Sequence, residues 1–129
     1  MFGSTKAFSS FAVDDTAAAK RFYGETLGLK VSEVPGMEKY GVLSLHIADD
    51  RDILVYPKPD HTPATYTILN FPVDDIDRAV DELAERGVRF LRYEGFEQDA
   101  KGVARGGDGP LIAWFGDPAG NVLSVLQEQ

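Results

Sequence analysis

No cysteine occurs among the 129 residues, which removes disulfides, thiolate nucleophiles and thiolate metal ligands together. No apolar run approaches the length needed to span a bilayer, and nothing at the N-terminus reads as a signal peptide. A cytoplasmic protein is expected. Positive charge is also scarce: 13 Lys and Arg stand against 21 Asp and Glu, a formal net charge of −8. That sign disfavours phosphate backbones and anionic lipid, so neither nucleic acid nor membrane is expected as a partner. It weakly favours a cationic ligand over an anionic one. Histidine is limited to His46 and His61, whose separation matches no recognised metal-ligand spacing.

What is present is a repeat. Phe11-Ala-Val-Asp-Asp15 returns sixty residues later as Phe71-Pro-Val-Asp-Asp75, each copy after an apolar run and before a helical pattern. Two copies are too few for a solenoid and point to one domain built from two similar modules. A hydrophobic fraction of 43% is sufficient for a real core in a chain of this length.

Lys6 to Val13 reads as a strand with Phe8, Ser10 and Ala12 on one face. Asp14 or Asp15 can cap the helix that follows, in which Ala18 and Phe22, then Tyr23 and Leu27, are spaced to form a buried stripe, and Gly28 suits its C-cap. Strands are expected at Leu29 to Glu33, Tyr40 to Ala48 and Asp52 to Tyr56. Three prolines between Pro57 and Pro63 mark a linker. The second module repeats the plan: strand Tyr66 to Val73, an Asp75-capped helix with Ile76, Ala79, Val80 and Leu83 on one face, then strand Val88 to Tyr93. Glu82 and Arg86 are spaced for a surface ion pair. Glu94 to Gly109, rich in glycine and charge, reads as a long mobile loop, with room for frayed strand inside it. Strands Leu111 to Phe115 and Val122 to Gln127 are joined by the turn sequence Gly116-Asp-Pro-Ala-Gly-Asn121.

The expected fold is therefore α+β: two β-α-β-β-β modules forming an open, barrel-like mixed sheet with a concave cavity. The domain covers residues 1–129, with module one over about 6–57, a linker over about 58–64 and module two over about 65–127. Helix on one sheet face leaves the other face free, and concave, partly apolar faces are where small molecules bind.

The doubled module, with Val-Asp-Asp before a helix containing Arg21-Phe-Tyr23, Leu27-Gly28-Leu29 after it, and Phe115-Gly-Asp-Pro-Ala-Gly-Asn121 near the end, resembles the vicinal oxygen chelate superfamily. That group contains glyoxalase I, extradiol dioxygenases, fosfomycin-inactivating transferases, methylmalonyl-CoA epimerase and bleomycin-resistance proteins. The resemblance implies a metal site with one ligand from the first and one from the last strand of each module, at Phe8, Leu54, Ile68 and Ser124. None is His, Glu or Gln, and no neighbour in register supplies His, Asp or Glu; Tyr56 alone makes no site. The chain is more similar to the metal-free branch, which includes drug-sequestering bleomycin-binding proteins. The resemblance also implies a homodimer, with modules pairing within or between chains.

No catalytic residue, metal ligand or cofactor is assigned. The residues expected to contact a ligand are Phe8, Ser10, His46, Leu54, Tyr56, Ile68, Asn70, Trp114, Phe115 and Ser124. Phe8, Leu54, Ile68 and Ser124 lead, because strand parity and matched position agree on them. Aromatic faces among them suit planar or cationic molecules. Ser124 lacks a nucleophile elbow and a base, and is read as a small polar cavity residue. Glu94, Glu97 and Asp99 are read as solvated loop charge, and His61 as a surface residue. The expected function is metal-free binding of a partly apolar ligand, with room for a cationic one. The alternative is a glyoxalase-like lyase, isomerase or dioxygenase with a non-standard metal site, or with acid–base chemistry at His46.

Overall fold

The computed structural model describes residues 1–129, which divide into two compact units, Met1–Thr62 and Pro63–Gln129. The fold is α+β, each unit a mixed four-stranded sheet with helix on one face.

In the first unit, β1 (Ser10–Val13) leads into α1 (Thr16–Arg21), followed by β2 (Lys30–Glu33), β3 (Leu43–Ile47) and β4 (Arg51–Pro57). The sheet order is β1-β4-β3-β2, with β1 and β4 parallel and the other pairs antiparallel. Parity then fixes the faces. Val13, Leu43, Leu45 and Val55 are buried, while Phe11 and the buried Tyr23 hold their rings 5.7 Å apart. The opposite face carries Ser10, Ser32, Ser44, His46, Asp52, Leu54 and Tyr56.

The second unit repeats this with β5 (Thr67–Pro72), α2 (Ile76–Glu85), β6 (Phe90–Leu91), β7 (Leu111–Gly116) and β8 (Val122–Gln127), in the order β5-β8-β7-β6. Ser10 pairs with Leu54 in one sheet, and Asn70 with Ser124 in the other. The repeat therefore extends to sheet register. Both helices start alike: Asp15 accepts from the Ala18 N–H and Asp75 from the Arg78 N–H, each at 3.1 Å. Each carboxylate satisfies an otherwise unpaired first-turn amide. In α2, Ile76 and Val80 are buried, as its apolar spacing predicts. Glu82 pairs with Arg78 at 3.5 Å, across the i,i+4 spacing of the helix surface.

The two helices end differently. Residues Phe22–Thr26 form a π turn, with the Leu27 N–H donating to the Phe22 carbonyl at 2.9 Å. Gly28, at φ +74°, stands thirteen positions after its cap Asp15, whereas Gly87, at φ +89°, stands twelve after Asp75. One extra residue is accommodated by widening the last turn.

The loop expected to be mobile is instead pinned. Gln98 accepts from the Tyr93 N–H and donates to the carbonyls of Leu91 and Gly102. Asp99 accepts from the N–H groups of Lys101 and Val103 and from Arg105 Nε, at 2.8–2.9 Å. Arg105 also pairs with Asp77, and Lys101 with Asp81, tying the loop to α2. Burial pushes the Asp99 carboxyl up, and the hydrogen bonds from Arg105, Val103 and Lys101 together outweigh it, holding the group below its ordinary value. Sequence composition conceals this network because its charges look solvated until their partners are placed. His61 also departs from expectation: its Nε2 is buried and meets no hydrogen-bond partner.

Candidate functional site

The site is assembled on the face of the first sheet turned away from α1. Phe8, just before β1, is 69% exposed and lines a groove of about 310 Å³ with Ser32, Glu33, Val34, Pro35, Ser44, His46, Asp52 and Leu54. Ser10 is exposed and lies beside Leu54 in the ladder, and Tyr56 is 36% exposed two residues along β4. Phe8, Ser10, His46, Leu54 and Tyr56 thus share one face. Phe8 also borders a second depression, of about 610 Å³, with Lys6, Asp50, Arg51 and Ile53.

A polar chain crosses this face. Ser32 Oγ lies 2.7 Å from His46 Nε2, and His46 Nδ1 lies 2.9 Å from Asp52 Oδ1. Ladder register explains the alignment, since Ser32 pairs with Ser44, while His46 pairs with Lys30 on one side and Asp52 on the other. The Asp52 partner was within reach of sequence reasoning: a tight turn at 48–50 sets His46 opposite Asp52. Ser32 was not, because the segment 34–42 leaves its register with β3 open.

In the second unit, Asn70, Ser124, Trp114 and Leu91 lie along one row of the ladder. Ser124 is fully buried and donates its hydroxyl proton to Asn70 Oδ1 at 2.6 Å, while Asn70 itself is exposed. Trp114 is covered by Tyr93, edge-on at 5.3 Å, and by Phe96 at 5.1 Å. Ile68 falls at a register irregularity between Thr67 and Leu69 and is half-buried. Phe115 stands apart from this set. Strand alternation turns it away from Trp114, it is wholly buried, and its ring meets Phe90 edge-on at 5.8 Å. Reading two adjacent aromatics as ligand contacts overlooked that alternation.

The four positions that the resemblance assigns to metal ligands fail on donor chemistry. Phe8, Leu54 and Ile68 offer only carbon, and the Ser124 hydroxyl is bonded to Asn70. No group of three or more His, Asp or Glu side chains is placed to hold a metal ion. The residues present do not fit a divalent cation there.

Residues 7–125 match the model of the Glyoxalase/Bleomycin resistance protein/Dioxygenase superfamily. Among solved structures, an antibiotic binding protein, TnmS3, from Streptomyces sp. CB03234 is 26% identical over 98% of each chain, with a TM-score of 0.71. A glyoxalase/bleomycin resistance protein from the same organism is 27% identical over 94% of this chain and 100% of its own, with a TM-score of 0.63. A glyoxalase/dioxygenase from Nostoc punctiforme, 21% identical over 98% and 92% of the two chains with a TM-score of 0.69, shares the fold. No curated protein matches in sequence. No helix is long and apolar enough to cross a membrane.

Proposed function

The chain belongs to the Glyoxalase/Bleomycin resistance protein/Dioxygenase superfamily, and within it we propose that it is a metal-free binding protein that sequesters a partly apolar, planar small molecule. The observation that carries this reading is the exposed Phe8 beside Leu54 in an open groove, two carbon side chains at positions where metal-dependent relatives need donors. Glu33 and Asp52 line the same groove, and with a net charge of −8 they support a cationic ligand held against aromatic faces. The likeness to an antibiotic binding protein supports the same ligand size class. Ser10, His46 and Tyr56 belong to this proposed contact set. Asn70 is its exposed counterpart in the second unit, where Ser124 and Trp114, expected beside it, lie buried beneath the surface. The same reading has the protein acting in the cytoplasm as a homodimer, which sedimentation analysis tests.

The experiment begins with elemental analysis of protein purified without an affinity tag, followed by a thermal-shift screen led by aromatic cations. Sequestration requires less than stoichiometric metal and a saturable shift, with Phe8→Ala weakening binding at least about tenfold, or ~1.4 kcal/mol. Stoichiometric zinc, nickel, manganese or iron would overturn it.

A further inference from the structure

The Ser32–His46–Asp52 chain can do more than line a groove. A carboxylate can only accept, so the 2.9 Å contact to Asp52 requires the proton on Nδ1 of His46. With a single ring proton, Nε2 then carries the lone pair, and Ser32, 2.7 Å away, must be the donor. The hydroxyl therefore faces a base whose tautomer and orientation are fixed from behind, which is the connectivity of an activated serine nucleophile.

A candidate oxyanion donor is adjacent. The Val34 N–H donates to the Val42 carbonyl at 3.3 Å, so by alternation Ser32 and Ser44 form a hydrogen-bonded pair and the intervening Glu33 N–H turns away from β3. Because β2 is an edge strand, that N–H lies on the free edge, and Glu33 lines the groove. Phe8, Val34, Pro35 and Leu54 provide apolar walls for an acyl group.

We propose that this groove is an acyl-transfer site that hydrolyses small carboxylic esters through Ser32. Ser32 Oγ bonds to the acyl carbon as its proton passes to His46 Nε2, and the Glu33 N–H meets the developing oxyanion. The ester C–O bond breaks, and His46 returns the proton to the departing alkoxide. Water then attacks the acyl-serine, giving one proton through His46 to Ser32 Oγ and releasing the carboxylic acid. No oxidant or metal enters the balance. Asp52 acts through His46 as a positioning residue. The proposal goes beyond ligand sequestration, and its readout is a covalent bond rather than an affinity.

The test treats the full chain with an alkyl fluorophosphonate and, separately, with p-nitrophenyl acetate, and maps adducts by peptide mass spectrometry. The expected result is a single adduct on Ser32, with ester hydrolysis lost at least about a hundredfold in Ser32→Ala. Asp52→Asn should slow labelling at least about tenfold and displace its pH profile while circular dichroism and the thermal midpoint stay at parental values. Should Ser32→Ala not fold, site-specific labelling of the parent and its loss on heat unfolding decide the matter. Labelling no faster than that of heat-unfolded chain, an adduct on another residue, or parental labelling in a folded Ser32→Ala overturns the proposal.

Discussion

The Asp117 carboxylate grips Asn121 with both oxygens: Oδ1 accepts from the Asn121 backbone N–H at 2.8 Å and Oδ2 from the side-chain Nδ2 at 2.9 Å. The same Oδ1 accepts from the Ala119 N–H at 2.9 Å. Both partners are buried, so removing the carboxylate strands donors that water cannot reach. Asp117→Ala should cost about 3 kcal/mol, read as a lowered urea midpoint with an unchanged slope. Asp117→Asn should fall between, since an amide oxygen replaces only one of the two acceptors.

Gly102 sits at φ +95°, and a Cβ added there would stand 3.0 Å from Phe90 Cβ. Backbone strain and steric conflict act together. Gly102→Ala should destabilise by about 2 kcal/mol and loosen the pinned loop, checked by faster amide exchange at Val103 and Ala104.

Ala48 holds φ +52° in the β3–β4 hairpin, the one non-glycine residue with positive φ. The left-handed conformation costs alanine about 1 kcal/mol, while the added freedom of an unfolded glycine returns part of that. Ala48→Gly should therefore stabilise by about 0.5 kcal/mol, visible as a higher thermal midpoint.

The loop network sets a pH window. Asp99 titrates below its ordinary value, so its contribution is present above the unfolded carboxylate value and is lost as pH falls through the folded one. Lys101 is raised, chiefly by the hydrogen bond to Asp81, so its contribution is present below the unfolded lysine value and is lost as pH rises through the folded one. The loop should be tightest between about pH 4 and pH 10. Asp99→Asn should flatten the acid limb of a stability–pH curve and leave the basic limb in place.

Trp114 is the sole tryptophan and is 9% exposed under a Phe96 ring that is itself 57% exposed. Phe96→Ala should uncover the indole. The emission maximum should shift to the red without loss of far-ultraviolet circular dichroism.

Local rules carried much of this structure. Asp15 and Asp75 capped their helices, Gly28 and Gly87 took positive φ, and the final two strands lie close to where Leu111 and Val122 begin their apolar runs. The facing of Phe8, Ser10, Leu54 and Tyr56 followed from two-residue periodicity. What failed needed long-range partners. Lys101 and Arg105 look like solvent charges until α2 brings Asp77 and Asp81 to them. Ser32 is an anonymous strand serine until antiparallel register sets its neighbour Ser44 two residues from His46. Phe115 was misread because neighbouring residues on a strand cannot serve the same face.

The π turn at Phe22–Thr26 bears on how the two halves could diverge after duplication. In each unit the third residue beyond the closing glycine, Val31 or Phe90, lies on the helix side of its sheet, near Gly24 and against Phe115 respectively. An inserted residue carried into the strand would have inverted every side chain after it and sent Ser32 inward, exchanging hydroxyl for hydrocarbon along the groove. Kept within a helical turn, the insertion leaves strand parity untouched. One half of the chain could thus lengthen its helix while preserving the chemistry it displays, and deleting Gly24 is the change that would reverse that step.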